Sequence, residues 1–234
     1  MDLCNRSDIQ ALLARHGFHF SKSMGQNFLI ESWVPAQIAD ASGADAGMGV
    51  LEIGPGIGPL TQQLAQRSGR VVSVELDRRL LPVLAETMAG FDNFTLVEGD
   101  AMKMDLRALT AEHFAGLRPI LCANLPYNIT TPFLTACVQA GCFESLTVLI
   151  QKEVAERICA APGTAAFGAF SLLMQYYTEP ELLFTVPLSM QEQVMRLGLV
   201  DVIGHITQPG TGCYLVTPDG SDIHLKAQGF KEGI

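Results

Sequence analysis

Residues 50–58 read Val50-Leu51-Glu52-Ile53-Gly54-Pro55-Gly56-Ile57-Gly58, and the organisation of the chain can be worked out from them. A short apolar run ends in an acid and is followed by three glycines at alternate positions, which predicts a buried strand, a tight turn and a helix start. Glycine permits positive φ and close approach of a ligand to the backbone, and a helix start offers unpaired N–H groups to an anion. The spacing differs from the Gly-x-Gly-x-x-Gly dinucleotide pattern, so the turn suits either a nucleotide or an amino-acid-like carboxylate; alternatively, it simply joins two elements.

From residue 49 onward, short apolar strands alternate with helices. This alternation predicts an α/β fold with a doubly wound, mostly parallel sheet that is covered by helices on both faces. Ligands of such sheets bind at the carboxyl ends of the strands. The predicted strands are 50–53, 70–75, 94–100, 119–124, 146–151 and 181–186, and the predicted helices are 6–16, 31–41, 59–67, 78–88, 131–139, 152–160 and 167–177.

Polar residues stand at the ends of successive predicted strands: Glu52, Glu75, Asp100 and Asn124. A carboxylate at the end of the second strand can accept hydrogen bonds from both hydroxyls of a ribose, and Asp100 can accept one from the exocyclic amine of an adenine. Each residue taken alone is better explained by a helix cap or a solvated turn. Together they predict a cofactor that contains adenosine.

Asn124-Leu125-Pro126-Tyr127 follows the fourth predicted strand directly. Proline stiffens the turn and removes a backbone donor, so the Asn124 side-chain oxygen and the Leu125 carbonyl can both accept hydrogen bonds from one amine. The ring of Tyr127 offers a flat face for stacking. Holding both hydrogens of an exocyclic amine directs its lone pair at an electrophilic methyl group, and catalysis then needs only positioning and electrostatics. The alternative is a proline-containing turn that packs a tyrosine.

Composition bounds the remaining possibilities. The 234 residues carry a formal charge of −9, so a nucleic-acid role requires a local basic patch. The six cysteines show neither a Cys-x-x-Cys pair nor zinc spacing, which indicates reduced thiols and no metal site. We find no signal-peptide pattern and no apolar run long enough to span a bilayer, and therefore expect a cytoplasmic protein.

Taken together, these stretches resemble the ribosomal RNA adenine N6,N6-dimethyltransferase family, whose bacterial members modify small-subunit rRNA. The stretches that carry the resemblance are Ser23-Met24-Gly25-Gln26-Asn27-Phe28-Leu29, residues 51–58, Val74-Glu75-Leu76-Asp77, Glu98-Gly99-Asp100-Ala101, Asn124-Leu125-Pro126-Tyr127-Asn128-Ile129 and Met174-Gln175-Tyr176-Tyr177. The resemblance implies a Rossmann-like class I fold that binds S-adenosyl-L-methionine.

The resemblance also implies roles for individual residues. The family's cofactor positions correspond to Asn27, Leu29, Gly54, Glu75, Asp100 and Asn124, and the resemblance implies that Asn124 and Tyr127 hold the target adenine. We therefore predict Asn124, Leu125, Pro126 and Tyr127 as the catalytic stretch. The implied partner is small-subunit rRNA or an immature small ribosomal subunit, and we expect a monomer that does not contact a membrane.

The resemblance covers about residues 8–189 and stops at Met190-Gln191-Glu192-Gln193, where the family continues with an aromatic turn, a last strand and a helical RNA-binding domain. We therefore predict a methyltransferase domain at 1–189 and an atypical β-rich extension at 190–234, with strands at 200–206, 213–216 and 222–225. The extension either begins like the cold-shock-like OB domains of ribonucleases or covers the open edge of the sheet.

Three functions follow as hypotheses. The first is methyl transfer from S-adenosylmethionine to N6 of adenines in small-subunit rRNA. The second is a ribosome-assembly or RNA-binding factor that keeps the cofactor but has impaired catalysis, because the family's C-terminal region is missing. The third, motivated by the charge of −9, is a methyltransferase for a small molecule.

Overall fold

The structure is a computed structural model that describes residues 3–17 and 33–182, together with the backbone of 213–216 and 222–225. The chain forms two compact units, Met1–Leu183 and Phe184–Ile234. Several predictions lie outside the described residues: the cofactor positions Asn27 and Leu29, the strand at 200–206 and most of the strand at 181–186. Glu181 and Leu182, which are described, are not in a strand.

A parallel sheet of five strands forms the centre of the first unit, in the order β3-β2-β1-β4-β5. The strands are β1 (Met48–Ile53), β2 (Arg70–Glu75), β3 (Phe94–Glu98), β4 (Arg118–Asn124) and β5 (Leu146–Leu149). Every residue of β1 is buried, because helices cover both faces of the sheet and β1 is its central strand. The strand order reverses between β1 and β4, and such a reversal opens a crevice at the carboxyl ends of the strands.

Eight α-helices are described, together with two short 3-10 turns. They are α1 (Arg6–Arg15), α2 (Trp33–Ala41), α3 (Pro59–Arg67), α4 (Leu81–Thr87), α5 (Leu106–His113), α6 (Thr130–Ala140), α7 (Lys152–Ile158) and α8 (Ala169–Tyr177), and the 3-10 turns are Arg78–Leu80 and Ala101–Lys103. Helices α1 to α4 contribute to one apolar core, which includes Leu12, Leu64 and Leu84. Helices α5 to α8 contribute to the core on the opposite face, which includes Phe133 and Leu134. The doubly wound α/β fold is thus confirmed.

Helix α5 lies in a stretch for which no helix was predicted, and some element boundaries differ from those predicted. Helix α5 is capped by Asp105, whose side chain accepts from the N–H groups of Arg107 and Ala108, and it buries only Leu106 and Thr110, so its apolar pattern is too weak to recognise. Strand β3 ends at Glu98 instead of residue 100, because Asp100 already caps the next 3-10 turn.

In the second unit, β6 (Cys213–Val216) pairs antiparallel with β7 (Asp222–Leu225), and Tyr214 lies opposite His224. Two of the three strands predicted for the extension are therefore present. Among the helices that the structure describes, none is long and apolar enough to cross a membrane.

Candidate functional site

A pocket lies at the carboxyl ends of β1, β2, β3 and β4. It brings together four of the positions that the sequence predicted for a cofactor: Gly54, Glu75, Asp100 and Asn124. The grouping follows from the parallel topology, since the carboxyl ends of all the strands meet at one edge of the sheet. The roles of these residues remain predictions, but their proximity is a property of the fold.

The glycine turn between β1 and α3 forms one wall of the pocket. Gly54, Gly56 and Gly58 all have positive φ, at 67°, 63° and 95°. The Gly54 N–H donates to the Val74 carbonyl at 2.9 Å, which fixes the turn to β2. A Cβ atom on Gly54 would lie 3.5 Å from Pro126 Cγ, so the glycine turn closely approaches the loop that follows β4.

Glu75, at the end of β2, is almost fully buried and held by backbone donors. Its Oε1 accepts from the Asp77 N–H at 2.8 Å, and the N–H groups of Gly56 and Leu76 also face the carboxyl. Burial raises the pKa of Glu75, the hydrogen bonds from these N–H groups oppose that rise, and the negative charge of Asp77 adds to it. The carboxyl is thus oriented before any ligand arrives.

Asp100 has the capping role that the sequence analysis weighed against ligand binding, and it also lines the pocket. One of its oxygens accepts from the Met102 N–H at 3.0 Å, and the other lies 3.4 Å from Lys103 Nζ. Capping and binding are compatible, because a carboxylate has several acceptor positions.

Two apolar residues in the lining, Leu76 and Ala101, were not singled out from the sequence. Leu76 is 59% exposed, whereas Ala101 is buried. Each directly follows one of the two strand-end carboxylates, Glu75 and Asp100, and that shared position is the signal that could have revealed them. Apolar side chains beside carboxylate acceptors suit a ligand that has a flat ring and polar substituents.

The loop after β4 contains a backbone carbonyl that accepts no hydrogen bond from the described residues. The Leu125 N–H donates to the Leu149 carbonyl at 3.1 Å, and the Pro126 carbonyl accepts from the Ile129 N–H and the Thr130 hydroxyl, both at 3.1 Å. No described residue donates a hydrogen bond to the Leu125 carbonyl. Asn124, Leu125 and Pro126 line the pocket, while Tyr127 is 47% exposed and lies outside the lining. Three of the four predicted catalytic residues therefore meet there.

Glu52 forms part of the pocket floor and is only 1% exposed. The Ser73 hydroxyl donates to Glu52 Oε2 at 2.7 Å. The buried Thr61 hydroxyl also faces this carboxyl, but it reaches hydrogen-bonding geometry with no described atom. Burial raises the pKa of Glu52 to about 7; the two hydroxyls oppose the rise, and the charge of Glu75 adds to it.

The charged residues that line the pocket in the described chain are all acidic. The lining includes four acids, Glu52, Glu75, Asp77 and Asp100, whereas no Lys, Arg or His of the described chain belongs to it. A low-dielectric pocket lined by carboxylates favours a cationic ligand. The described residues contain no group of three or more His, Cys, Asp and Glu side chains arranged to hold a metal ion.

Comparison with known proteins identifies the family. The family model described as "Ribosomal RNA adenine dimethylase" matches residues 17–213. The chain belongs to the ribosomal RNA adenine dimethylase family. The family match confirms the resemblance carried by the motifs and runs past residue 189, where the sequence analysis placed its end.

Curated relatives in this family are named "Ribosomal RNA small subunit methyltransferase A". The protein from Geobacillus thermodenitrificans (strain NG80-2) is 45% identical over 188 residues, which is 80% of this chain and 64% of the relative. The protein from Ligilactobacillus salivarius (strain UCC118) is 46% identical, with the same coverage. The chain therefore spans about 64% of the length of the curated relatives that it matches.

Solved structures of methyltransferring enzymes share the fold. The 23S rRNA methyltransferase ErmE matches with a TM-score of 0.52 and 31% identity, over 58% of this chain and 53% of that chain. A dimethyladenosine transferase from Plasmodium falciparum matches with a TM-score of 0.53 and 26% identity, over 61% of this chain and 50% of that chain. These matches agree with the Rossmann-like α/β sheet described above.

Proposed function

We propose that this chain transfers methyl groups from S-adenosylmethionine to N6 of adenines in small-subunit ribosomal RNA. One observation carries the proposal. In a member of the ribosomal RNA adenine dimethylase family, a single pocket unites the glycine turn, the strand-end carboxylates Glu75 and Asp100, and the loop at Asn124. The cofactor half and the substrate half of the expected site therefore adjoin each other.

The residues of the pocket suit S-adenosylmethionine, which supplies the methyl group. The two carboxylate oxygens of Glu75 would accept from the ribose hydroxyls, and Asp100 would accept from the adenine amine. Leu76 and Ala101, which line the same pocket, would contact the adenine ring. The acidic lining suits the positive charge of the cofactor. The family resemblance adds Asn27 and Leu29 to this set.

The loop after β4 would present the target amine. The side-chain oxygen of Asn124 and the open carbonyl of Leu125 would accept one hydrogen each from the adenine N6 amine, which leaves the nitrogen lone pair directed into the pocket. The turn is held by Pro126, whose carbonyl accepts from Ile129 and Thr130. No strong base is required, because the methylated nitrogen releases its proton after transfer. The same arrangement serves a second methylation, since one hydrogen remains on the nitrogen after the first.

Tyr127 would act on the substrate side only. Its ring is half exposed and outside the lining, so it is available to a base that enters from solvent. Stacking on an aromatic side chain contributes about 1–3 kcal/mol per base. This contribution would hold the extruded adenine while Asn124 and Leu125 orient its amine.

The experiment supplies purified chain with labelled S-adenosylmethionine and small ribosomal subunits that lack dimethyladenosine. We expect label in N6,N6-dimethyladenosine after digestion of the rRNA, and no label with Glu75→Ala. If wild-type chain binds the cofactor by calorimetry but labels no rRNA, the transfer proposal fails, and the chain is better explained as a ribosome-assembly factor that keeps cofactor binding.

A further inference from the structure

We propose that Glu52 lets the pocket distinguish the methyl donor, whose net charge is positive, from its product, whose net charge is zero. The Glu52 carboxyl releases a proton when the donor binds and keeps it when the product binds. This inference rests on the proposed function, since it takes S-adenosylmethionine as the donor and S-adenosylhomocysteine as the product. It assigns to Glu52 a specificity role within the same pocket.

The position of Glu52 is the first support. Glu52 belongs to the lining of the pocket although only 1% of the residue is exposed, so its carboxyl is shielded from water. One short hydrogen bond, from Ser73 Oγ at 2.7 Å, reaches one of its oxygens. The hydroxyl of Thr61, which makes no hydrogen bond with any described atom, faces the same carboxyl and is fully buried. It is a second donor positioned for the ionised form.

Among the described residues, the groups around Glu52 supply no positive charge. Glu75 on β2 adds a negative charge, and Cys122 on β4 faces the carboxyl with a thiol whose pKa is raised by burial and by the charge of Glu52. Thr61 on α3 and Ser73 on β2 are neutral. With a pKa of about 7, the Glu52 carboxyl is about half protonated at neutral pH in the free chain.

The two ligands differ by one charge. S-adenosylmethionine carries a sulfonium, an ammonium and a carboxylate, so its net charge is +1, whereas S-adenosylhomocysteine has lost the sulfonium charge with the methyl group and is neutral overall. A nearby positive charge favours the ionised form of a carboxyl. When the donor binds to a chain in which Glu52 is protonated, the carboxyl therefore ionises and one proton is released to solvent. Transfer of the methyl group removes the sulfonium charge, so the Glu52 carboxyl again favours its protonated form. The affinity for the product is therefore lower than that for the donor.

The size of the effect follows from the pKa of about 7. If the donor binds only the ionised form, each donor bound at pH 7 releases about 0.5 proton, and donor affinity rises about tenfold between pH 6 and pH 8. Product binding releases close to no proton, and its affinity changes little over the same range. The ratio of donor to product affinity therefore increases with pH.

Calorimetry in two buffers of different ionisation enthalpy, such as phosphate and Tris at pH 7, measures the proton release directly. We expect wild-type chain to release about 0.5 proton with the donor and close to none with the product. Glu52→Gln, a neutral mimic of the protonated carboxyl, should weaken donor binding at pH 8 by at least about tenfold, leave product binding in place, and abolish the proton release and its pH dependence. Glu98→Gln, a matched change of an exposed glutamate that lies outside the lining, behaves like wild type.

Ser73→Ala keeps the test decisive if Glu52→Gln does not fold. Removing the hydrogen bond to the ionised carboxyl raises its pKa further, so proton release at pH 7 should exceed that of wild type. Equal proton release with donor and product, unchanged release in Glu52→Gln, or unchanged release in Ser73→Ala overturns the inference while leaving methyl transfer untouched. Failure of wild-type chain to bind the donor overturns this inference and the proposed cofactor together.

Discussion

Replacing Gly54 by alanine tests whether the glycine turn serves cofactor binding as well as folding. Gly54 has φ +67° and lines the pocket. An L-residue in this conformation costs about 1–2 kcal/mol, and the loss of unfolded-state freedom offsets about 0.4–1 kcal/mol of it. We therefore expect the free energy of unfolding to fall by about 1 kcal/mol, which lowers the melting temperature by about 2–4 °C in a chain of this size.

The effect on the cofactor should be larger than the effect on folding. The new Cβ would lie 3.5 Å from Pro126 Cγ and 3.7 Å from Pro126 Cδ, both ordinary contacts, so the protein itself accepts the methyl group. The same methyl group narrows the pocket between the glycine turn and the loop after β4. An added methyl group in a packed site costs about 1–3 kcal/mol, so S-adenosylmethionine should bind about five- to 150-fold more weakly.

Gly141→Ala is the matched control. Gly141 follows α6 with φ +57°, and the nearest atom to an added Cβ is the Val138 carbonyl oxygen at 4.0 Å. It is not part of the pocket lining, so the substitution introduces the same backbone strain without touching the ligand. Both variants should lose similar stability by urea unfolding, but only Gly54→Ala should lose affinity by calorimetry. Wild-type affinity in Gly54→Ala, or an equal affinity loss in both variants, would refute the assignment of the turn to the cofactor.

Three further predictions address packing, substrate and pH. Gly49→Ala places a Cβ 2.3 Å from Phe114 Cδ1, so the free energy of unfolding measured in urea should fall by about 1–3 kcal/mol. Adding Phe114→Leu should restore part of this loss, and unchanged stability in Gly49→Ala would contradict the packing. Tyr127→Ala should slow methyl transfer to small subunits by at least about fivefold with unchanged cofactor affinity, while Tyr127→Phe retains transfer; equal rates for all three chains exclude a stacking role. Because the pKa of Glu52 rises from 4.5 unfolded to about 7 folded, the folded state binds more protons between these values. Wild-type stability should therefore fall by about 3 kcal/mol relative to Glu52→Gln as pH rises from about 4 to 8. If the free energy of unfolding depended on pH in the same way in both chains, the raised pKa of Glu52 would be excluded.

The sheet was predictable because its signals are local. The strands are short apolar runs, and β1 is buried on both faces, so its sequence is almost uninterrupted by polar residues. Helix α5 was not predictable in the same way, because only two of its eight residues are buried. Its start depends on the Asp105 cap, which looks like any aspartate in a loop.

The site was predictable where topology alone determines it. Parallel strands deliver Glu75, Asp100 and Asn124 to one edge of the sheet, so their positions at strand ends were sufficient. The orientation of Tyr127 depends on the turn held by the Pro126 carbonyl, which no spacing reveals. The raised pKa of Glu52 also depends on tertiary structure. The described groups that surround its carboxyl come from β2, β4 and α3, and none of them is a cation.

The most direct measurement is labelled methyl transfer to unmodified small subunits by wild-type chain and Asn124→Ala, run side by side with calorimetry of S-adenosylmethionine binding. Asn124 is one of the predicted cofactor positions and also one of the two proposed acceptors for the target amine, but Glu75 and Asp100, which would hold the ribose and adenine of the cofactor, are retained in the variant. We predict that label enters adenine N6 only with the wild-type chain and that the variant binds the cofactor within about threefold of wild type. Transfer by Asn124→Ala at the wild-type rate would contradict the proposed mechanism.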